Sequence, residues 1–412
     1  MGRHDEAMDR EACLPDTEFT VGRLEKLLQN GLDTTSQFVR CSAQRIGEQQ
    51  GLLSVIVKVE ISWSDAAKHL PSSVVVKIPS VAFWQAPNDN FKDFGTEAFV
   101  NEESKAGLIR IQQCETDFYR MMSSSGATVP VPKLYAAEDP NGVNPGVLVM
   151  EDLSVDGKVI LLTDSIALPQ AKLIAEALAK LHAFSWTHSA WLSNPLLNTT
   201  VYEFFGSKTA ETLRSAVDIA IKIMRTDFKE HFPAEFPDKL EKFARREEHS
   251  NYVYKLHEEL GIAPVMVHGD FRNPNMVFSK DLCSLLGVID WQFVHHGTPG
   301  EDLVRCMVTS VDPVVRREHL DDILDHYYAV LTENMAKEEK TPPADKDQIK
   351  KIYRQCFKHG VLYGVGVVLI TASDATMMSQ WVGEEGDVAT RQLAMIDRAK
   401  AMLEDFFDME GI

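Results

Sequence analysis

The chain has 412 residues, 44% hydrophobic and 25% charged, so it is long enough to bury a large core and too apolar to be disordered. Its 42 basic and 61 acidic residues leave a net charge of −19, which argues against nucleic acid or an anionic membrane surface as the main partner. The six cysteines, at 13, 41, 114, 283, 306 and 356, form no Cys-x-x-Cys pair and read as free thiols in a reducing compartment, with no zinc pattern. The first residues carry no apolar signal region. The longest uncharged apolar stretch, 360–373, is too short and glycine-rich for a bilayer span and reads as a buried helix. A soluble, cytoplasmic protein without a membrane span is expected.

Residues 1–16 are charged and unpatterned and read as a loose tail. Val21, Leu24, Leu27 and Leu28 recur at helical spacing and predict a short helix over 19–32. Apolar runs at 38–47 and 52–61 flank Gly47-Glu-Gln-Gln-Gly51 and predict a hairpin of two strands. A third strand covers 74–79 with Lys77 in its middle, where a lysine is either solvated on an edge or aimed into a site. Residues 80–96 read as loop. Ile111, Cys114, Phe118 and Met122 place a helix over 97–122.

Segment 129–136 begins another strand, and 146–153 is a strand that stops at charged residues. A proline near the start and an apolar face of Leu173, Ala177, Leu178, Leu181 and Phe184 mark a helix over 169–185, with His182 as a core histidine. Residues 186–260 are helical in pattern and carry no evident chemistry; core packing is their default. Helices are predicted over 320–331, 349–370 and 389–406, with a polar linker at 336–346.

The chemistry concentrates in Val265-Met-Val-His-Gly-Asp-Phe-Arg-Asn-Pro-Asn-Met-Val-Phe278, followed by Gly287-Val-Ile-Asp-Trp-Gln292. The apolar runs read as buried strands, and Gly269 and Pro274 punctuate a tight loop. The first polar cluster holds His268, Asp270, Arg272 and Asn275; Asp290 leads the second. Two carboxylates and a carboxamide then fall at the ends of neighbouring strands. A magnesium nucleotide needs that set: one carboxylate to orient an attacking hydroxyl, and a carboxylate and an amide oxygen to hold a hard cation.

His-Gly-Asp-x4-Asn, with 14 residues between Asn275 and Asp290, resembles the catalytic and metal loops of the aminoglycoside phosphotransferase and choline kinase group. Ile289-Asp-Trp-Gln292, His296-Gly-x-Pro299, Asp302-Leu303 and Leu148-Val-Met-Glu-Asp-Leu153 are similar to the ecdysteroid-kinase-like (CHK kinase-like) family. The resemblance runs from about Leu24 to about Leu403. It implies an α+β, two-lobed protein-kinase-like fold. Residues 1–150 would form a small, mostly antiparallel β lobe with a helix. Residues 151–412 would form a larger, mainly helical lobe with the catalytic and metal loops and the acceptor pocket.

The resemblance also implies ATP and Mg2+ as cofactors and a hydroxyl-bearing small molecule, a steroid-like alcohol or an amino alcohol, as acceptor. Lys77 matches the lysine that pairs the α- and β-phosphates. Glu115 matches the helix glutamate that orients it, with Glu97, Glu102, Glu103 and Asp117 as competitors and a surface glutamate as the bland reading. Gly47 and Gly51 would let the hairpin approach the phosphates, where relatives often carry a further glycine. The backbone of Glu151 to Leu153 would bond the adenine at the interlobe hinge, beside Met150.

Within the catalytic set of His268, Asp270 and Arg272, Asp270 would accept the acceptor's hydroxyl proton and His268 would brace the loop. Arg272 would either neutralise the transferring phosphate or form a salt bridge inside the loop. Asn275 and Asp290 would hold the metal, and Asp302 would tie the loop to a helix start. Gly269, Trp291-Gln292 and the lack of an Ala-Pro-Glu segment argue against a protein kinase. The thin glycine loop supports one alternative, a nucleotide-binding regulatory protein with little turnover.

Overall fold

The computed structural model describes residues 9–47, 54–65, 69–80, 102–141, 144–200, 207–244, 255–382 and 386–412. The chain divides into two compact units. The first holds the described parts of Met1–Asn88, Thr96–Gly126 and Val131–Val155; the second holds Ala127–Pro130 and Asp156–Ile412.

The first unit comprises α1 (Val21–Gly31), β1 (Phe38–Ile46), β2 (Ser54–Trp63), β3 (Ser73–Pro79), α2 (Glu102–Ser125), β4 (Leu134–Glu138) and β5 (Val147–Glu151). The strands form one antiparallel sheet in the order β1-β2-β3-β5-β4. Side chains alternate between its faces. Val55, Val57, Val59, Val74 and Val76 form one core with Leu24 and Leu28 of α1. The same alternation turns Lys77 to the other face. The strand expected from 129 starts only at Leu134. Pro130 and Pro132 lack the N–H a ladder needs.

Residues 9–16 are pinned and not a loose tail. Leu14 is buried, and Arg10 donates from Nε to Glu25 Oε2 at 2.6 Å. Glu25 Oε1 also accepts the Phe38 N–H at 2.6 Å. A carboxylate buried on α1 needs such donors, and they draw the preceding segment in.

The second unit comprises β6 (Gly157–Val159), α3 (Leu168–Thr187), α4 (Ser207–Arg225), α5 (Phe236–Ala244), β7 (Val265–Val267), β8 (Met276–Ser279), β9 (Leu285–Val288), β10 (His295–Gly297), α6 (Gly300–Thr309), α7 (Pro313–Lys337), α8 (Lys346–Ser373), α9 (Ala375–Val382) and α10 (Val388–Glu410). β6, β8 and β9 form one antiparallel sheet, and β7 pairs with β10 in another. The sequence suggested neighbouring strands here; β8 and β9 are neighbours, but β7 lies in the other sheet. The loop between β7 and β8 crosses from one small sheet to the other.

Helix α7 continues to Lys337, into the expected linker, and α8 starts at Lys346 from a capping box of Asp345 and Gln348. By length and composition α8 could cross a membrane, yet 72% of its most apolar window is buried against the rest of the protein. Gly360 lets α8 approach α6: a Cβ there would lie 2.3 Å from Val304 Cγ1.

Two buried polar groups tie the helices together. His182 of α3 and Tyr327 of α7 are fully buried and share a hydrogen bond of 2.7 Å through Nδ1 and the phenol. Burial pushes the His182 imidazole down to about 3, well below its unfolded value. The folded chain then binds fewer protons at this site, so stability falls as pH drops below about 6.5. The stability advantage of wild type over His182→Gln is expected to shrink by about 2 kcal/mol between pH 6.5 and pH 5. Urea unfolding at the two pH values checks this; a constant difference contradicts it.

Arg398 of α10 is also buried. Its guanidinium donates to the carbonyls of Leu162 at 2.9 Å, Thr309 at 2.6 Å and Asp164 at 3.0 Å, and to Ser165 Oγ at 2.9 Å. Arg398→Met is expected to lower unfolding stability by about 3 kcal/mol, since it strands buried acceptors. A urea midpoint within error of wild type would refute that.

Candidate active site

In the first unit, Lys77 and Glu115 form a buried ion pair. Lys77 sits on β3 opposite Ile56 and Leu148, and its Nζ lies 2.6 Å from Glu115 Oε2 on α2. They are 6% and 1% exposed, so Lys77 is not a solvated edge lysine. A buried pair adds little net stability, so this one is a candidate for a role beyond packing. Of the competitors for Lys77, Glu97 lies outside the described residues, while Asp117 sits 3.8 Å from Arg120 Nη1.

Met150 and Glu151 end β5, and Met150 is buried. The Glu151 N–H donates to the Lys133 carbonyl at 2.9 Å, and its Oε2 accepts the Lys133 N–H at 3.1 Å. Leu153 opens a short 3-10 turn, Leu153–Val155. Asp152 fixes that turn: its carboxylate accepts from Ser73 Oγ at 2.5 Å and Ser154 N at 3.0 Å and pairs with Lys58 at 2.9 Å. Gly47 leaves β1 at φ +63° with open space around it, and Gly51 lies outside the described residues.

In the second unit, the chain leaves β7 into a loop built around Asp270. Gly269 has φ +84°, and a Cβ there would meet the Phe293 carbonyl at 2.5 Å, so only glycine fits. His268 is fully buried. Its Nδ1 accepts the Asp270 N–H at 3.2 Å, so Nε2 carries the proton and donates to the Ile289 carbonyl at 2.9 Å. Burial pushes this imidazole down to about 4. With both ring nitrogens held by backbone, His268 braces the loop.

Asp302, in the first turn of α6, accepts the His268 N–H at 2.6 Å and the Gly269 N–H at 3.2 Å. It ties the loop to the helix, although the helix cap itself is Pro299. Asn273 fastens the far side, where it opens the 3-10 turn Asn273–Asn275 with Pro274 as the second residue. The Asn273 N–H donates to Ser310 Oγ at 3.0 Å, and its carboxamide donates to the Leu161 carbonyl.

Asp270 is 7% exposed and surrounded by donors. Oδ1 accepts Tyr363 Oη at 2.6 Å and Arg272 Nε at 3.0 Å, with Arg305 Nη1 at 3.9 Å. Oδ2 accepts from Arg272 Nε and Asn275 Nδ2, both at 3.2 Å. Burial works to raise this carboxyl, but the Arg272 and Arg305 charges and the Tyr363 hydrogen bond outweigh it and hold Asp270 well below the usual carboxylate range. Arg272 thus forms the salt bridge inside the loop.

Asn275 Nδ2 also donates to the Asp270 carbonyl at 2.8 Å, which leaves its Oδ1 as the group available to a cation. The Ile289 N–H donates to the Asn275 carbonyl at 2.9 Å, so the β8–β9 ladder sets Asn275 and Asp290 near one another. Asp290 adopts φ +68°, a strained conformation for a non-glycine residue, of the kind that clusters at functional sites. Gln292 Nε2 donates to its Oδ2 at 3.1 Å. Trp291, buried beside the His268 ring, donates to the Val288 carbonyl and anchors the turn.

Among the described residues no cluster of three or more His, Cys, Asp or Glu side chains could hold a metal. One carboxylate and one amide oxygen suit Mg2+, which keeps waters and takes its other ligands from phosphates. Sequence reasoning missed Tyr363 and Arg305. Both carried a signal. Arg305 is a lone cation on an apolar helix, three residues after Asp302, and Tyr363 is the sole phenol in the run 360–373.

A family described as "Uncharacterized oxidoreductase dhs-27" (DUF1679) matches residues 11–410. The chain is 26% identical to "Uncharacterized oxidoreductase dhs-27" of Caenorhabditis elegans over 77% of its own length and 38% of that protein's. It is 24% identical to "Uncharacterized kinase-like protein D1044.1" of the same organism, over 71% of this chain and 72% of that one. Among solved structures it is similar to an ethanolamine kinase of Plasmodium vivax, with a TM-score of 0.43 at 13% identity, covering 90% of this chain and 83% of the other. The match over residues 11–410 establishes the relationship: the chain belongs to the DUF1679 family.

Proposed function

We propose that this protein is a small-molecule kinase that moves the γ-phosphoryl group of ATP onto a hydroxyl of a small alcohol. The observation that carries the reading is the Asp270 loop: a buried carboxylate, bonded to the Asn275 carboxamide, with Asp290 held one strand pair away. Asn275 and Asp290 would hold Mg2+, which supplies positive charge against the phosphates when bound. Lys77, held by Glu115, is suited to grip the α- and β-phosphates.

Asp270 is a weak base in this setting. It orients the acceptor hydroxyl and takes its proton late, as the new P–O bond forms, which suits a loose transition state. The relative D1044.1 is named as a kinase-like protein, which favours the same reading. The description "oxidoreductase" refers to a protein of which the matched stretch is 38%. The net charge of −19 favours a neutral or cationic acceptor, such as a steroid-like alcohol or an amino alcohol.

Calorimetric titration with ATP in magnesium buffer tests the nucleotide half. One site per chain is expected, weakened at least about tenfold in Lys77→Ala, because a desolvated lysine–phosphate contact is lost. Heat-silent titrations with no rise in melting temperature would sink the reading.

A further inference from the structure

We propose that Tyr363 is a positioning residue for phosphoryl transfer: its hydroxyl fills Oδ1 of Asp270 and so presents Oδ2 to the acceptor. The inference rests on the kinase reading above. A carboxylate oxygen has about two lone-pair sites. At Oδ1 both are taken, by Tyr363 at 2.6 Å and Arg272 at 3.0 Å, with Arg305 close by at 3.9 Å. At Oδ2 the two contacts are long, 3.2 Å each, and one shares the Arg272 N–H already used by Oδ1. An incoming hydroxyl forms a bond of about 2.7 Å and outcompetes contacts of that length.

The phenol is itself held in place. The Arg305 guanidinium carbon lies 3.7 Å from its ring centroid, and the same arginine donates to the Gly269 carbonyl. One cation therefore stacks the ring and anchors the loop that carries Asp270. The close approach of α8 at Gly360, one turn before, brings the ring within reach. Burial and the Asp270 charge keep the phenol protonated, so it acts as a donor.

Without this hydroxyl, Oδ1 regains a free lone pair, and an acceptor can bond at either oxygen. Only one of these placements aligns it for attack, so the loss falls on the chemical step and not on nucleotide affinity.

The test is single-turnover hydrolysis of γ-labelled MgATP with water as acceptor and enzyme in excess. It compares wild type, Tyr363→Phe, and a chain with 3-fluorotyrosine at 363. Phenylalanine keeps the ring on Arg305, and circular dichroism confirms folding. The phenylalanine variant is expected to turn over about tenfold more slowly with an unchanged half-saturating MgATP concentration. The fluorinated phenol restores the hydroxyl and the wild-type rate. Three results overturn the assignment: a wild-type rate in the phenylalanine variant, a loss confined to the half-saturating concentration, or label retained on Tyr363, which would make the phenol an acceptor. The kinase reading fails separately, if MgATP leaves the wild-type melting temperature unchanged.

Discussion

Asp270→Asn is expected to slow phosphoryl transfer by about a thousandfold or more, while MgATP still raises the melting temperature. Asparagine has the size of aspartate but cannot take a proton, and general-base groups contribute about 10²–10⁴ in rate. A thousandfold loss corresponds to about 4 kcal/mol of transition-state stabilisation. The substitution also removes the charge between Arg272 and Arg305, so an unusual gain in anion affinity would accompany the lost rate. Single-turnover rates decide the matter. A variant within tenfold of wild type would remove Asp270 from the centre of the mechanism.

Asp302→Ala is expected to destabilise the protein by about 3 kcal/mol at pH 5, by leaving one buried and one half-buried N–H group of the loop without their acceptor. The effect should depend on pH. Burial, and next the Glu301 charge, push Asp302 up to about 7 from an ordinary carboxylate value of 3.8. A carboxyl whose folded pKa is raised holds its proton more tightly in the fold. Its contribution is fully present below the unfolded value and is lost as pH rises through about 7. At about 1.4 kcal/mol per pH unit, the two units from pH 5 to pH 7 remove about 3 kcal/mol. The deficit of the alanine variant should therefore approach zero by pH 8. Urea unfolding at pH 5 and pH 8 measures it, and equal deficits would contradict the assignment. The same variant should lose transfer activity at both pH values, because His268 and Gly269 position Asp270.

The part of the site that sequence revealed is the part the chain makes locally. Asp270, Asn275 and Asp290 lie within 21 residues, and a short loop and one strand pair suffice to assemble them. Asp302 was legible through the family resemblance, and its place in the first turn of α6, where it accepts two loop N–H groups, is what the structure adds. Lys77 was half legible. Alternation along β3 shows that it faces away from the side of Val76, but not what covers that face, and Glu115 arrives from 38 residues away. Tyr363 was hidden. It lies 93 residues beyond Asp270 in an apolar run, and only the packing of α8 on α6 brings it there. The strands β6 and β10 span three residues each, too few for a period of two to stand out.

The central claim is transfer itself. The most direct measurement incubates the full chain with γ-labelled ATP, magnesium and a fractionated small-molecule pool containing sterols and amino alcohols, with Asp270→Asn alongside. Label in a discrete alcohol fraction, absent with the variant, is the predicted result. Label that stays in ATP with every fraction, while ATP binds with full occupancy, would contradict a kinase acting on such alcohols.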